Sequence, residues 1–202
     1  ILNDGFLDHI VRDVDEIYHL AAAVGVSYII ENPLKSIQIN VRGTENVLEK
    51  AYKYDKKVLI TSTSEIYGKN ERVPLSEDAD RILGSTKKRR WSYSNTKALD
   101  EFLALAYYTV KKLPVVIVRL FNTVGPRQTG QYGMVIPNFV QKALLGKPII
   151  VYGDGTQSRS FTHVSDVVRA LVGLMAEPGA VGQVVNVGGS EEVTIKDLAV
   201  MI

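Results

Sequence analysis

The sequence predicts an α/β fold: a doubly wound parallel sheet with helices packed on both of its faces. Three observations carry that expectation. Short apolar runs alternate with amphipathic helical stretches along the whole chain. The runs are almost continuously apolar, as strands buried on both faces must be. Small, polar and basic residues gather directly after the runs, at the carboxyl ends of strands, where a doubly wound sheet binds its ligands.

Residues 16–21 (EIYHLA) are a short apolar run flanked by charge, hence a buried strand. Asn32 and Pro33 open a helix to about Tyr54, since proline suits a first turn where its missing N–H costs nothing. Residues 57–61 (KVLIT) are the next strand, and 62–91 are polar and irregular, a length that points to function. A helix over 92–112 leads into a strand at 114–119 (PVVIVR). Then come a helix at 133–145, a strand at 148–152, a helix at 166–176, a strand at 183–187 and a helix from 194 to 202. After Asn122 the strands shorten and glycine and proline become frequent. We therefore divide the chain into residues 1–122 of the sheet domain and 123–202, part of a smaller substrate lobe interleaved with sheet elements.

Composition removes several function classes. The 202 residues are 46% hydrophobic and 23% charged, a globular balance with enough apolar material for a core. Lys plus Arg number 24 against 22 Asp plus Glu, and a net charge of +2 leaves no basic footprint for nucleic acid or an anionic membrane. The cysteine count is 0, so disulfides, thiolate metal sites and cysteine nucleophiles are excluded; His9 and His19 have no second ligand at useful spacing, and no metal is expected. No apolar run approaches the roughly 20 residues that span a bilayer, and the first residues lack a signal-peptide pattern, so the expected location is cytoplasmic. The chain opens Ile1-Leu2-Asn3 and closes at Met201-Ile202 within an amphipathic pattern, from which we expect the middle of a longer protein.

The chemistry centres on Tyr93-Ser94-Asn95-Thr96-Lys97. A spacing of four sets Tyr93 and Lys97 on one helix face, one turn apart. A free tyrosine titrates near 10, so a base working near neutrality needs a drop of about 3 units, or about 4 kcal/mol. An ammonium one turn away supplies part of it. Thr61-Ser62-Thr63-Ser64-Glu65 follows the second strand, and the Thr63 hydroxyl is placed to share a proton with Tyr93.

Together these residues resemble the extended short-chain dehydrogenase/reductase family, in its nucleotide-sugar epimerase/dehydratase/decarboxylase branch. His19-Leu20-Ala21-Ala22 is similar to the strand end beneath the cofactor, and Asn40–Val47 (NVRGTENV) to the N-x-x-G-T-x-N helix. Thr63, Tyr93 and Lys97 match the catalytic trio, Arg119–Pro126 (RLFNTVGP) the R-x-x-N-x-x-G-P segment, and Tyr152–Arg159 with Phe161, His163 and Asp166 the segment that meets the nucleotide diphosphate. The resemblance implies a Rossmann-like, NAD-binding sheet and a reaction that begins with hydride removal from sugar C4. Tyr93 would take the C4 hydroxyl proton, Thr63 would orient that hydroxyl, and Lys97 would bond the nicotinamide ribose and lower the Tyr93 pKa. Leu20, Ala21, Ala22, Asn40 and Thr61 would line the cofactor site with Tyr93 and Lys97. Ser64, Asn122, Asn138 and Arg159 would hold the nucleotide sugar, the planar guanidinium suiting phosphate oxygens.

Glu65 decides between reactions. A simple 4-epimerase needs no second acid, whereas a carboxylate beside the active-site threonine is what dehydratases and UDP-glucuronate decarboxylases use for later proton steps. Thr63-Ser64-Glu65 and Arg90-Trp91-Ser92-Tyr93 resemble the decarboxylases, which we take first; the alternatives are a UDP-glucose 4-epimerase or a non-catalytic sugar-nucleotide-binding relative. The G-x-x-G-x-x-G phosphate loop of the first βαβ unit is not in this sequence, so the chain alone is expected to bind NAD weakly and turn over nothing. The family also leads us to expect a homodimer built on the helices at 33–54 and 93–111.

Overall fold

The computed structural model describes residues 1–130 and 133–202. Helix α1 (Asp4–Arg12) precedes β1 (Glu16–His19), then α2 (Val26–Glu31), α3 (Pro33–Lys53), β2 (Lys57–Thr63), a 3-10 turn (Ser64–Tyr67), α4 (Trp91–Lys111) and β3 (Val115–Leu120). The rest comprises β4 (Thr123–Val124), α5 (Val135–Leu144), β5 (Ser158–Arg159), β6 (Thr162–His163), α6 (Val164–Ala176), a 3-10 turn (Pro178–Ala180), β7 (Val184–Val187), β8 (Val193–Thr194) and α7 (Ile195–Met201).

The main sheet runs in the order β1-β2-β3-β7 with every pairing parallel. Successive strand side chains point to opposite faces, and here both faces are apolar. Val58, Ile60, Val115 and Ile117 pack with Val47, Leu48 and Ala51 of α3 and Ala104 of α4. The intervening Leu59, Val116 and Val118 pack with Val167, Leu171 and Met175 of α6. Helices thus cover both faces, as the sequence reading expects. Pro33 occupies the first turn of α3, and the following 3.6-residue pattern buries Asn40, Gly43, Thr44, Val47, Leu48 and Ala51.

After Asn122 the chain builds small ladders, β4 on β6 in parallel and β5 on β8 antiparallel, around a cluster of Phe139, Ile195 and Leu198. It then returns to the main sheet, where β7 pairs with β3.

Among the differences from the sequence reading, two have a clear physical reason. Residues 148–152 form no strand; Ile149 and Val151 are packed against the small cluster, but their backbone joins neither ladder, and Gly153 at φ +72° turns the chain away. The first strand stops at His19 rather than residue 21, because beyond it the Asn40 side chain takes over the pairing. Asn40 Oδ1 accepts from the Ala23 N–H at 2.7 Å, and its Nδ2 donates to the Ala23 carbonyl at 3.2 Å. Among the described residues no helix is long and apolar enough to cross a membrane, and no group of three or more His, Cys, Asp or Glu could hold a metal ion.

Candidate active site at the carboxyl ends of the strands

β2 is buried to its last residue, so its end delivers Thr63 to the edge of the core with the hydroxyl intact for bonding. Thr63 Oγ1 accepts from the Glu65 N–H at 3.2 Å, and this cap starts the 3-10 turn that carries Ser64 and Glu65. The turn ends at Gly68, whose φ of +65° only glycine adopts at no cost; a Cβ there would lie 2.3 Å from the Ile82 carbonyl oxygen. That close approach lets Lys69 donate to Ile82 O at 2.7 Å and folds the long segment before α4 back over the site.

Tyr93 stands in the first turn of α4, half-buried, near enough to the Thr63 hydroxyl for the two to interact. Burial raises the Tyr93 pKa, Glu65 and Asp100 raise it further, and only the Thr63 hydroxyl opposes them. Lys97 is buried one turn along, but its Nζ lies 2.8 Å from Asp100 Oδ2. The sequence reading expects Lys97 to acidify Tyr93; in the structure its ammonium is engaged with a carboxylate instead.

Glu65 keeps exposed surface although protein atoms crowd its carboxyl. That crowding raises its pKa, Arg90 and Arg159 oppose the rise, and we take the net rise as small because water still reaches the group.

The cofactor candidates lie together at the ends of β1 and β2. Leu20 and Ala21 are exposed, Ala22 is partly so, and Ala23 is buried by its bonds to Asn40. Asn40 also donates to Thr96 Oγ1 at 3.3 Å, tying this loop to α4 beside Lys97. Thr61 Oγ1 donates to the His19 carbonyl at 3.1 Å. His19 is buried and its Nε2 lies 3.2 Å from Thr44 Oγ1; burial first, then the Lys97 charge, push its pKa down to about 4, so it is neutral near pH 7.

The substrate candidates border two adjoining hollows. One, of about 500 Å³, is lined by Asn122, Asn138, Phe139, Tyr152 and Arg159 among others. The second, of about 580 Å³, is lined by Ser64, Tyr67, Phe121, Asn122, Arg159 and Asn186 among others. Asn122 and Arg159 belong to both. Asn122 Nδ2 donates to the Ser160 carbonyl at 2.9 Å, Asn138 Nδ2 to the Met134 carbonyl at 2.8 Å, and Arg159 Nη1 to the Ser158 carbonyl at 2.7 Å. A basic, amide-rich hollow therefore leads from Ser64 toward α5.

Sequence reasoning overlooked Asp100 and Glu101. Their signal was present: Asp100 is three residues after Lys97, a spacing that brings helical side chains together.

The small residues at Ala21 and Ala22, the hydroxyls of Thr63 and Tyr93 and the buried Lys97 ammonium fit the nicotinamide-ribose end of a dinucleotide, offering close approach and donors for sugar hydroxyls.

A model of the NAD-dependent epimerase/dehydratase family matches residues 1–188. The chain is 45% identical over 200 residues to a UDP-N-acetyl-alpha-D-glucosaminuronate decarboxylase of Bacillus cytotoxicus, covering 98% of this chain and 61% of that protein. It is 38% identical over 202 residues to UDP-glucuronic acid decarboxylase 1 of Arabidopsis thaliana, covering 100% of this chain and 46% of that one. The solved UDP-glucuronic acid 4-epimerase of Bacillus cereus, in complex with UDP-glucuronic acid and NAD, superposes with a TM-score of 0.84 at 33% identity, over 95% of this chain and 59% of the other. The chain thus spans about half to three-fifths of the length of these proteins.

Proposed function

Because this chain belongs to the NAD-dependent epimerase/dehydratase family, we propose that it carries the chemical centre of an enzyme that transforms a UDP-sugar at C4, with UDP-glucuronate decarboxylation as the reaction. The observation that carries the reading is that Thr63, at the end of β2, and Tyr93, in the first turn of α4, lie close enough to interact, with the turn that carries Glu65 starting on the same threonine.

Leu20, Ala21, Ala22, Asn40, Thr61 and Lys97 would hold or frame NAD, which when bound takes up and returns a hydride. Tyr93 accepts the proton of the sugar C4 hydroxyl, which Thr63 holds in line. The Glu65 carboxyl, on the turn that starts at Thr63, is the group that exchanges a proton at the carbon that loses carbon dioxide. Arg159 and Asn122, shared by both hollows, hold the diphosphate and sugar, and Ser64 and Asn138 bound the two ends of the substrate. The alternative, 4-epimerisation, draws support from the likeness to the Bacillus cereus 4-epimerase and leaves Glu65 a structural role.

A second copy of the chain is the proposed partner, paired across α3 and α4, where Leu34, Ile37, Leu99 and Phe102 are exposed. The test of the reaction is incubation with NAD and, separately, UDP-glucuronate and UDP-glucose, with products resolved by chromatography and mass detection. Loss of carbon dioxide from UDP-glucuronate supports the decarboxylase. An isobaric product from UDP-glucose makes it a 4-epimerase.

A further inference from the structure

Among the described residues the Lys97 ammonium has one carboxylate within salt-bridge distance, Asp100 Oδ2 at 2.8 Å, and the two side chains are 3% and 0% exposed. An ammonium and a carboxylate that far from water are each costly alone, so the pair holds together strongly. Among the described residues Asp100 Oδ1 has no partner at hydrogen-bonding distance, and Thr44 of α3 adds only a weaker interaction. His19 of β1, bonded to Thr44, is neutral and brings no charge to the pair. Tyr93 on the same helix is faced by Thr63 of β2, whose hydroxyl favours its ionised form, and by Glu65 of the 3-10 turn; Arg90 and Arg159 act on Glu65.

We propose that Asp100 is a positioning residue for Tyr93 and Lys97: its buried carboxylate tethers the Lys97 ammonium and withholds that positive charge from the Tyr93 hydroxyl. A lysine has three N–H donors and Asp100 takes one, so hydroxyls of a ligand entering beside α4 compete for the others. A ligand that draws the ammonium off Asp100 frees its charge to act on Tyr93, one helical turn away. This consequence rests on the reading of Tyr93 as the base; the tether itself does not.

The test is a pH titration of the full-length protein labelled with carbon-13 at tyrosine Cζ, with the Tyr93 signal assigned by its loss in Tyr93→Phe. Asp100→Asn keeps the shape and an oxygen acceptor for Lys97 while removing the negative charge. The expected result is that the Tyr93 signal begins to shift at lower pH in Asp100→Asn than in the unsubstituted protein, by about 0.5 to 1 unit, within the pH range where both stay folded. An unchanged or later onset overturns the proposal, and a loss of melting temperature without a change in onset marks Asp100 as structural only. If Asp100→Asn fails to fold, Asp100→Ser carries the same expectation. The titration uses neither cofactor nor substrate, so even a protein that turns over no UDP-sugar shows whether Asp100 holds the Lys97 charge away from Tyr93.

Discussion

Arg119 grips Glu101 at two points, Nε to Oε1 at 3.0 Å and Nη2 to Oε2 at 2.8 Å, and both residues are buried between β3 and α4. The remaining arm of the guanidinium donates to the Tyr67 hydroxyl at 2.8 Å and to the Glu77 carbonyl at 2.7 Å. Tyr67 in turn donates to Asn186 Oδ1 at 2.8 Å. One ion pair thereby fixes the 3-10 turn that holds Glu65.

Breaking that pair from one side should be costly. Arg119→Met strands the Glu101 carboxylate in the core, and we expect a loss of about 3 kcal/mol in urea unfolding. Arg119→Met with Glu101→Leu should recover most of it, since replacing both partners leaves no uncompensated charge. A double variant as unstable as the single would show that the Tyr67 and Glu77 bonds, not the ion pair, hold this region.

Glu65→Gln separates the two reactions. In a decarboxylase the amide cannot trade a proton, and release of carbon dioxide from UDP-glucuronate should fall by about 100-fold or more with substrate binding little changed. A variant with unaltered turnover assigns Glu65 to the turn alone.

His19 makes stability depend on pH. Its folded pKa of about 4 lies below the unfolded value of 6.5, so the unfolded chain binds more protons between those limits. The stabilisation is fully present above about pH 6.5 and is lost as pH falls through about 4; the shift corresponds to roughly 3 kcal/mol in all. Urea unfolding at several pH values should show stability declining through this window, more steeply than in His19→Gln. Equal slopes in the two proteins would mean that folding does not lower the His19 pKa.

Arg159 borders both hollows, and its loss should weaken substrate binding rather than chemistry. Arg159→Leu is expected to raise KM by about 10-fold or more with kcat changed far less, as for a group that binds ground and transition states alike. An unchanged KM would remove Arg159 from the substrate site.

Much of this architecture was legible in the sequence, for identifiable reasons. β2 and β3 are apolar at successive positions because helices cover both faces, so their runs read directly as buried strands. Thr63 and Tyr93 were also readable, as a hydroxyl closing a strand and a phenol opening a helix. Residues 148–152 misled because alternating Ile149 and Val151 satisfy a small apolar cluster as well as they would a sheet, and nothing local specifies a partner strand. Asn40 could be placed near the cofactor but not read as a brace, since its bonds to Ala23 and Thr96 join segments 17 and 56 residues away. The direction of Lys97 was hidden for a further reason: a long flexible side chain reaches either along its helix to Asp100 or out to a ligand, and spacing alone does not choose.

Tyr93→Phe removes the one hydroxyl on which the proposed chemistry turns. The full-length variant, assayed with NAD and UDP-glucuronate beside the unsubstituted protein, should lose about 100-fold or more in turnover while its NAD dissociation constant stays within about 3-fold. Near-normal turnover in the phenylalanine variant would contradict the assignment of Tyr93 as the base, and with it the reading of the site.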